Sequence, residues 1–197
     1  MNSTEPKVDL SFKLMGKPIP VDHGYALYSA VSRIIPELHT DDQIGIKLLR
    51  GRYIGNGLLD ISPFSHLILR LPVSRITRYI RLAGHHLDIK ASKLTIGVPQ
   101  TKALVPSAAV YAHLVSTKNG HDPQRFENEI ARQIRSLDSK AKFVVGKRRT
   151  FGVHGKQVVG YSLMVHELTA EESITIQEIG LGGRRKMGCG FFESQRR

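Results

Sequence analysis

KFVVGKRRTFGVHGKQVVGYSLMVHEL, residues 142–168, is rich in β-branched and aromatic residues and carries a glycine-flanked break at 152–155. It predicts two strands, 142–151 and 157–168, folded into a hairpin. Upstream, residues 124–137 place Phe126, Ile130, Ile134 and Leu137 on one helical face. A turn and cap at 119–123 and a strand at 108–116 come before that helix. Downstream, Thr169 opens a short helix to about residue 179, and a glycine-rich loop leads to a last strand holding Phe191 and Phe192. The order is βαββαβ.

The same order is readable in the first half. Residues 8–14 alternate apolar and polar, as a half-buried strand does. After a turn at 16–20, Asp22 is placed to cap a helix over 23–35, whose stripe is Ala26, Leu27, Ala30, Val31, Ile34 and Ile35. Pro36 ends the pattern. Strands are expected at 44–49 and 58–71, separated by a linker with Gly51, Gly55 and Gly57. Ser74 is placed to cap a short helix over 75–82, and 87–98 reads as one or two strands. The stretch 99–106 reads as a joint. The expectation is an α+β protein of two ferredoxin-like, RRM-like βαββαβ domains, 1–100 and 101–197. The halves do not align as sequences.

Composition restricts the function. There are 29 Lys and Arg against 17 Asp and Glu, a formal net charge of +12. A polyanion is the economical partner, because neutralised phosphates release counterions. A single cysteine, Cys189, excludes an internal disulfide and a cysteine-built zinc site. The polar N-terminus and the lack of a spanning apolar run lead us to expect a cytoplasmic protein without a membrane partner. The chain has no Trp and 7% aromatic residues, which argues against base stacking as the main binding mode.

The segment GLGGRRKMGCG, residues 180–190, sets Arg184, Arg185 and Lys186 among five glycines. Glycine permits close backbone approach, and successive N–H groups in such a loop can form an anion nest. Lys186 is followed by Met187, so this is not a phosphate loop of the nucleotide-hydrolase type.

GLGGRRKMGCGFF, residues 180–192, resembles the C-terminal glycine-rich loop of the CRISPR repeat-processing endoribonucleases of the RAMP superfamily. VDHGYALYSAVSRIIPELH, residues 21–39, resembles their first helix. IGIKLLRGRYIGNGLL, residues 44–59, followed by LILRLP, residues 67–72, is similar to the variant found in myxobacterial-type subtype I systems. The resemblance implies cleavage of precursor CRISPR RNA within its repeats, in a stem-loop or a positioned single strand. The RNA 2′-hydroxyl attacks the adjacent phosphate, leaving a cyclic phosphate and a 5′-hydroxyl, with no metal or cofactor. It also allows association with other subunits of a CRISPR effector complex. The alternative is a non-catalytic RNA-binding subunit of such a complex, which shares the fold and the loop.

That reaction needs a base for the 2′-OH, an acid for the leaving oxygen and a cation for the phosphorane. Imidazole suits the first two roles at neutral pH. The resemblance points to His39, after the first helix, or His23, at its start, with Lys47 for the phosphorane and Tyr25, Tyr28 and Ser32 able to assist. RNA-binding candidates are Arg50 and Arg52 around Gly51; Lys147, Arg148, Arg149 and Lys156 in the second hairpin; and Gly182, Gly183, Arg184, Arg185 and Lys186 in the loop. Arg75, Arg78 and Arg81 recur on one short helix. Glu127 and Glu129 interrupt the arginines of the 124–137 helix, which argues against a groove-reading role for it.

Overall fold

A computed structural model describes residues 5–195. In chain order its elements are β1 Lys7–Gly16, β2 Ile19–Pro20, α1 Gly24–Ile34, β3 Gly45–Ile46, β4 Arg52–Tyr53, β5 Leu58–Asp60, β6 His66–Pro72, α2 Ile76–Tyr79, β7 His86–Ile89, β8 Ser92–Ala103, β9 Ala109–Val115, α3 Pro123–Arg135, β10 Lys142–Val153, β11 Lys156–His166, α4 Ala170–Ile179 and β12 Phe192–Ser194. The chain divides into two compact units between Ala103 and Leu104.

In the first unit the sheet order is β3-β6-β1-β8-β7. β1 lies between β6 and β8, antiparallel to both. The topology is that of a split βαβ unit extended by the β7–β8 hairpin. Period two sends Leu10, Phe12 and Leu14 into the core, where Leu10 stands opposite Leu69 and Phe12 opposite Leu67. Leu27, Ala30 and Val31 of α1 are buried in the same core. The β1–β8 register slips between Phe12 and Leu14, where Pro99 faces Phe12 and has no N–H for the ladder.

The second unit has sheet order β10-β11-β9-β12, all antiparallel, the same topology again. Its core is separate. Phe126, Ile130 and Ile134 of α3 enter it, and the rings of Phe126 and Tyr161 stand 4.6 Å apart. Asp122 caps α3 through the Arg125 N–H, with Pro123 at the first helical position. Thr169 and Glu172 form a reciprocal capping box on α4. Two antiparallel units of this topology make the tandem ferredoxin-like fold.

Three local readings are corrected. The 58–71 run is two strands in different sheets: β5 joins a small sheet with β2 and β4, β6 joins the main sheet, and a turn at Ser62–Ser65 parts them. Asp22 does not cap α1, because His23 occupies the cap position without a side-chain cap bond. Ser74 caps nothing either; its N–H and hydroxyl both donate to the Glu5 carboxylate. No helix among the described residues is long and apolar enough to cross a membrane.

Candidate active site

Pro36 breaks α1 and starts a single 3₁₀ turn, Pro36–His39, that folds the chain back along the helix. This brings His39 beside Tyr28. The Tyr28 hydroxyl and His39 Nδ1 share a hydrogen bond of 2.7 Å, and the rings meet edge to face with centroids 5.6 Å apart. Tyr25, one turn earlier, stands 6.3 Å from Tyr28. His39 is exposed and Tyr28 half-buried. The ring is therefore oriented through Nδ1 at a place substrate can reach.

His23 is different. It is 2% exposed. The Leu49 N–H donates to its Nε2 across 2.9 Å, so Nδ1 carries the proton and donates to the carbonyls of Pro20 and Val21, each at 2.9 Å. Burial holds its pKa below the ordinary histidine value, with the two carbonyls pulling the other way. This geometry fastens the start of α1 to the segment leading into Arg50, and it corrects the expectation of a reacting group.

Lys47 is half-buried, and its N–H pairs with the Ile68 carbonyl at 3.0 Å. Arg50 and Arg52 are exposed; the Arg50 carbonyl accepts from Ser65 Oγ at 2.7 Å, and Arg52 lies 3.6 Å from Asp60. Gly51 is required here, because a Cβ would meet the Asp60 carbonyl oxygen at 2.4 Å. Of the arginines near α2, Arg75 pairs with Asp41 at 3.8 Å.

In the second unit the glycine-rich loop is docked, not loose. The Gly182 N–H donates to Gln133 Oε1 at 2.8 Å, that of Gly183 to the Ser116 carbonyl at 2.9 Å and that of Gly190 to the Leu114 carbonyl at 2.7 Å. Those amides are spent inside the fold and do not form the anion nest expected of them. A Cβ on Gly182, at φ +76°, would meet the Ser116 carbonyl oxygen at 2.5 Å, so only glycine lets the loop pass this close. Arg185 turns inward, its guanidinium on the Ile179 carbonyl at the end of α4. Arg184 is exposed and Lys186 half-buried. On the hairpin, Lys147, Arg148 and Lys156 are exposed, while Arg149 Nε donates to the His113 carbonyl at 3.2 Å. No group of three or more His, Cys, Asp or Glu placed to hold a metal occurs among the described residues.

The family model described as "Cas6 Crispr" matches residues 8–197. The chain belongs to the Cas6 family. Over 192 residues it is 38% identical to "CRISPR-associated endonuclease Cas6" of Myxococcus xanthus (strain DK1622), covering 94% of this chain and 80% of that protein. A solved "CRISPR associated protein Cas6" superposes with a TM-score of 0.69 at 14% identity, covering 96% of this chain and 100% of the other. A structure titled "An RAMP protein binding different RNA substrates" follows with a TM-score of 0.67 at 14% identity, covering 94% and 98%. At these identities the two structures speak to fold.

Set in the Cas6 fold, several residues matter that the sequence reading passed over. Gln133 holds the glycine-rich loop from α3, and its own Nε2 donates to Glu129 at 2.7 Å. Arg132, one of the helix arginines already noted in the sequence, pairs with the same carboxylate through both its oxygens, at 2.6 and 3.0 Å. Thr117, Lys118, His121 and His154 line clefts beside Arg184. Their sequence signal was a turn only, since 117–122 holds Asn119 and Gly120 and 152–155 is the hairpin bend.

Proposed function

We propose that this Cas6 chain processes CRISPR precursor RNA, cutting within repeats by internal attack of the RNA 2′-hydroxyl, without a metal, at a site centred on His39. The observation that carries the reading is the hydrogen bond between half-buried Tyr28 and exposed His39. An exposed histidine whose Nδ1 is held by a neighbouring hydroxyl is oriented before substrate arrives, which is how an oriented imidazole works in acid–base catalysis. With Nδ1–H donating to the tyrosine oxygen, Nε2 is a base that takes the 2′-OH proton. The O2′–P bond forms as the P–O5′ bond breaks. The imidazolium then holds a proton for the leaving 5′-oxygen, and the products are a cyclic phosphate and a 5′-hydroxyl.

Lys47 is the proposed cation for the phosphorane. Tyr28 is a positioning residue, and His23 fixes the backbone that carries Arg50. The exposed cations Arg50, Arg52, Lys147, Arg148, Lys156 and Arg184 bind phosphates. Gly182, Gly183 and Arg185 shape the loop that presents Arg184. An A-form stem is read through its shape, phosphates and 2′-hydroxyls, which suits this cationic, aromatic-poor surface. The 38% identity to a curated Cas6 endonuclease supports an RNA-cutting role over a purely binding one.

The test is incubation with repeat RNA in EDTA. Cleavage to a cyclic phosphate, blocked by a 2′-deoxy nucleotide at the cut and lost in His39→Ala, is the expected result. Cleavage that needs a divalent ion, or a fully active His39→Ala protein, overturns the assignment.

A further inference from the structure

The turn that carries His39 has a carboxylate on its inner side. Between residues 38 and 44 burial recurs at every third position. Leu38 and Ile44 are fully buried, Asp41 lies between them at 9% exposed, and His39, Thr40, Asp42 and Gln43 face out. That period follows on from the 3₁₀ turn Pro36–His39, a geometry in which positions i and i+3 eclipse. The pattern calls for an apolar residue at 41, and the chain has an acid there. Burying a carboxylate is unfavourable unless partners are built for it.

The partners are present. Asp41 Oδ1 accepts the Gln43 N–H at 3.3 Å, which closes the turn on itself. Oδ2 faces α2: the Tyr79 hydroxyl lies 3.5 Å from it, and Arg75 Nε, at the start of that helix, 3.8 Å. Tyr79 is fully buried, so packing fixes where its hydroxyl stands. The segment entering β1 ties both sides of the contact. Glu5 accepts from the Ser74 N–H and hydroxyl beside Arg75, and Lys7 Nζ donates to the Gln43 carbonyl at 2.8 Å. The N–H groups of Thr40 and Asp41 both donate to the Glu37 carbonyl, at 3.2 and 3.1 Å. The backbone between His39 and the Asp41 carboxylate is therefore held throughout.

Tyr28 orients the imidazole of His39, but the imidazole also moves with the backbone that bears it. Leu38 and Ile44 hold that backbone by apolar contact, which has no direction. Hydrogen bonds and charge contacts are directional, so Asp41 selects one seating of the turn on α2. A displacement of about 1 Å at a reacting group costs up to about 10² in rate.

We infer that Asp41 is a positioning residue of the RNA-cutting reaction: facing Tyr79 and Arg75, it sets where the turn over 36–43 presents His39. The inference rests on His39 as the reacting group. Asp41 and Tyr79 act through the backbone and not on the RNA.

The test separates rate from affinity. Single-turnover cleavage is measured at saturating repeat RNA, and affinity with uncleavable 2′-deoxy-substituted repeat RNA. Asp41→Ala should cut about 10- to 10²-fold more slowly while binding as wild type does. Asp41→Asn keeps an acceptor for Gln43 and a polar contact to Tyr79, gives up the charge facing Arg75, and should lose less. Tyr79→Phe removes the hydroxyl from the other side of the contact and should also slow cleavage with affinity kept. These two milder variants decide the matter if Asp41→Ala is unfolded at the assay temperature. In a His39→Ala protein, adding Asp41→Ala should not slow the residual cleavage further. Wild-type rates in the Asp41 and Tyr79 variants overturn the inference. So does a loss of affinity equal to the loss of rate, or a further loss in the His39→Ala background, since either marks a merely structural carboxylate. If His39→Ala itself cuts as wild type does, the His39 reading falls and this inference with it.

Discussion

The main-chain N–H of Gly182 donates to the side-chain Oε1 of Gln133 across 2.8 Å, joining the glycine-rich loop to the middle of α3. One turn back on the helix, Glu129 receives Gln133 and Arg132, so the tether is braced at its far end. Gln133→Ala leaves the Gly182 N–H without its acceptor, at a cost of about 1–3 kcal/mol. The expected result is a lower unfolding midpoint together with weaker RNA binding, because Arg184 is presented by the loop that has lost its tether. Gln133→Glu keeps an acceptor for Gly182 but has no donor for Glu129 and sets two carboxylates side by side, so it should not recover the binding. Equal binding by wild type and Gln133→Ala in an RNA titration would show that the tether does not set the loop.

Tyr28 and His39 separate chemistry from positioning. His39→Ala should lower the cleavage rate at saturating RNA by about 10² to 10⁴, the usual worth of a general acid or base. Tyr28→Phe keeps the edge-to-face packing and loses only the hydrogen bond. Its expected loss is about tenfold or less, from about 0.5–1.5 kcal/mol of orientation. Single-turnover kinetics on repeat RNA measure both. A Tyr28→Phe defect as deep as that of His39→Ala would make the phenol a proton-transfer group.

The contrast between the two histidines shows how far sequence reaches. The second unit was readable because its signals are local: Asp122-Pro123 before α3, Thr169 and Glu172 on α4, and long strands around one bend. The 58–71 run was not, because the Ser62–Ser65 turn splits an apolar stretch between two sheets and pairing alone decides which half goes where. His39 and His23 flank one helix and look alike as residues. Burial and the Leu49 N–H distinguish them, and the Leu49 bond comes from chain 26 residues away. The loop at 180–190 identified the family by its glycines. That those amides are consumed by Gln133, Ser116 and Leu114 depends on partners a linear motif does not contain.

Cys189 lies inside that loop and is fully buried. Burial pushes its thiol up to about 12, so almost no thiolate is present at neutral pH. A thiol reagent should leave the native protein unmodified at pH 7.5 and label one thiol after denaturation. Rapid labelling of the native protein would mean that the loop opens readily.

His23 predicts an acid-side loss of stability. Its folded pKa is depressed below the ordinary 6.5, chiefly by burial. Below about 6.5 the unfolded chain therefore binds more protons than the folded one, and unfolding becomes easier as pH falls. The contribution is fully present above the unfolded value and is lost progressively as pH drops from there toward the folded one. Carboxylates held below their ordinary value of 4.5, such as Glu129 and Glu172, act at lower pH than the range from 6.5 to 5, and the His23→Leu comparison assigns the slope within that range. Urea midpoints for wild type should fall between pH 7.5 and pH 5. His23→Leu removes the acceptor of the Leu49 N–H and should be less stable at pH 7.5 by about 1–3 kcal/mol. It should also lose much of the pH slope, because no imidazole remains to be charged. A His23→Leu protein with the full wild-type slope would place the titrating group elsewhere.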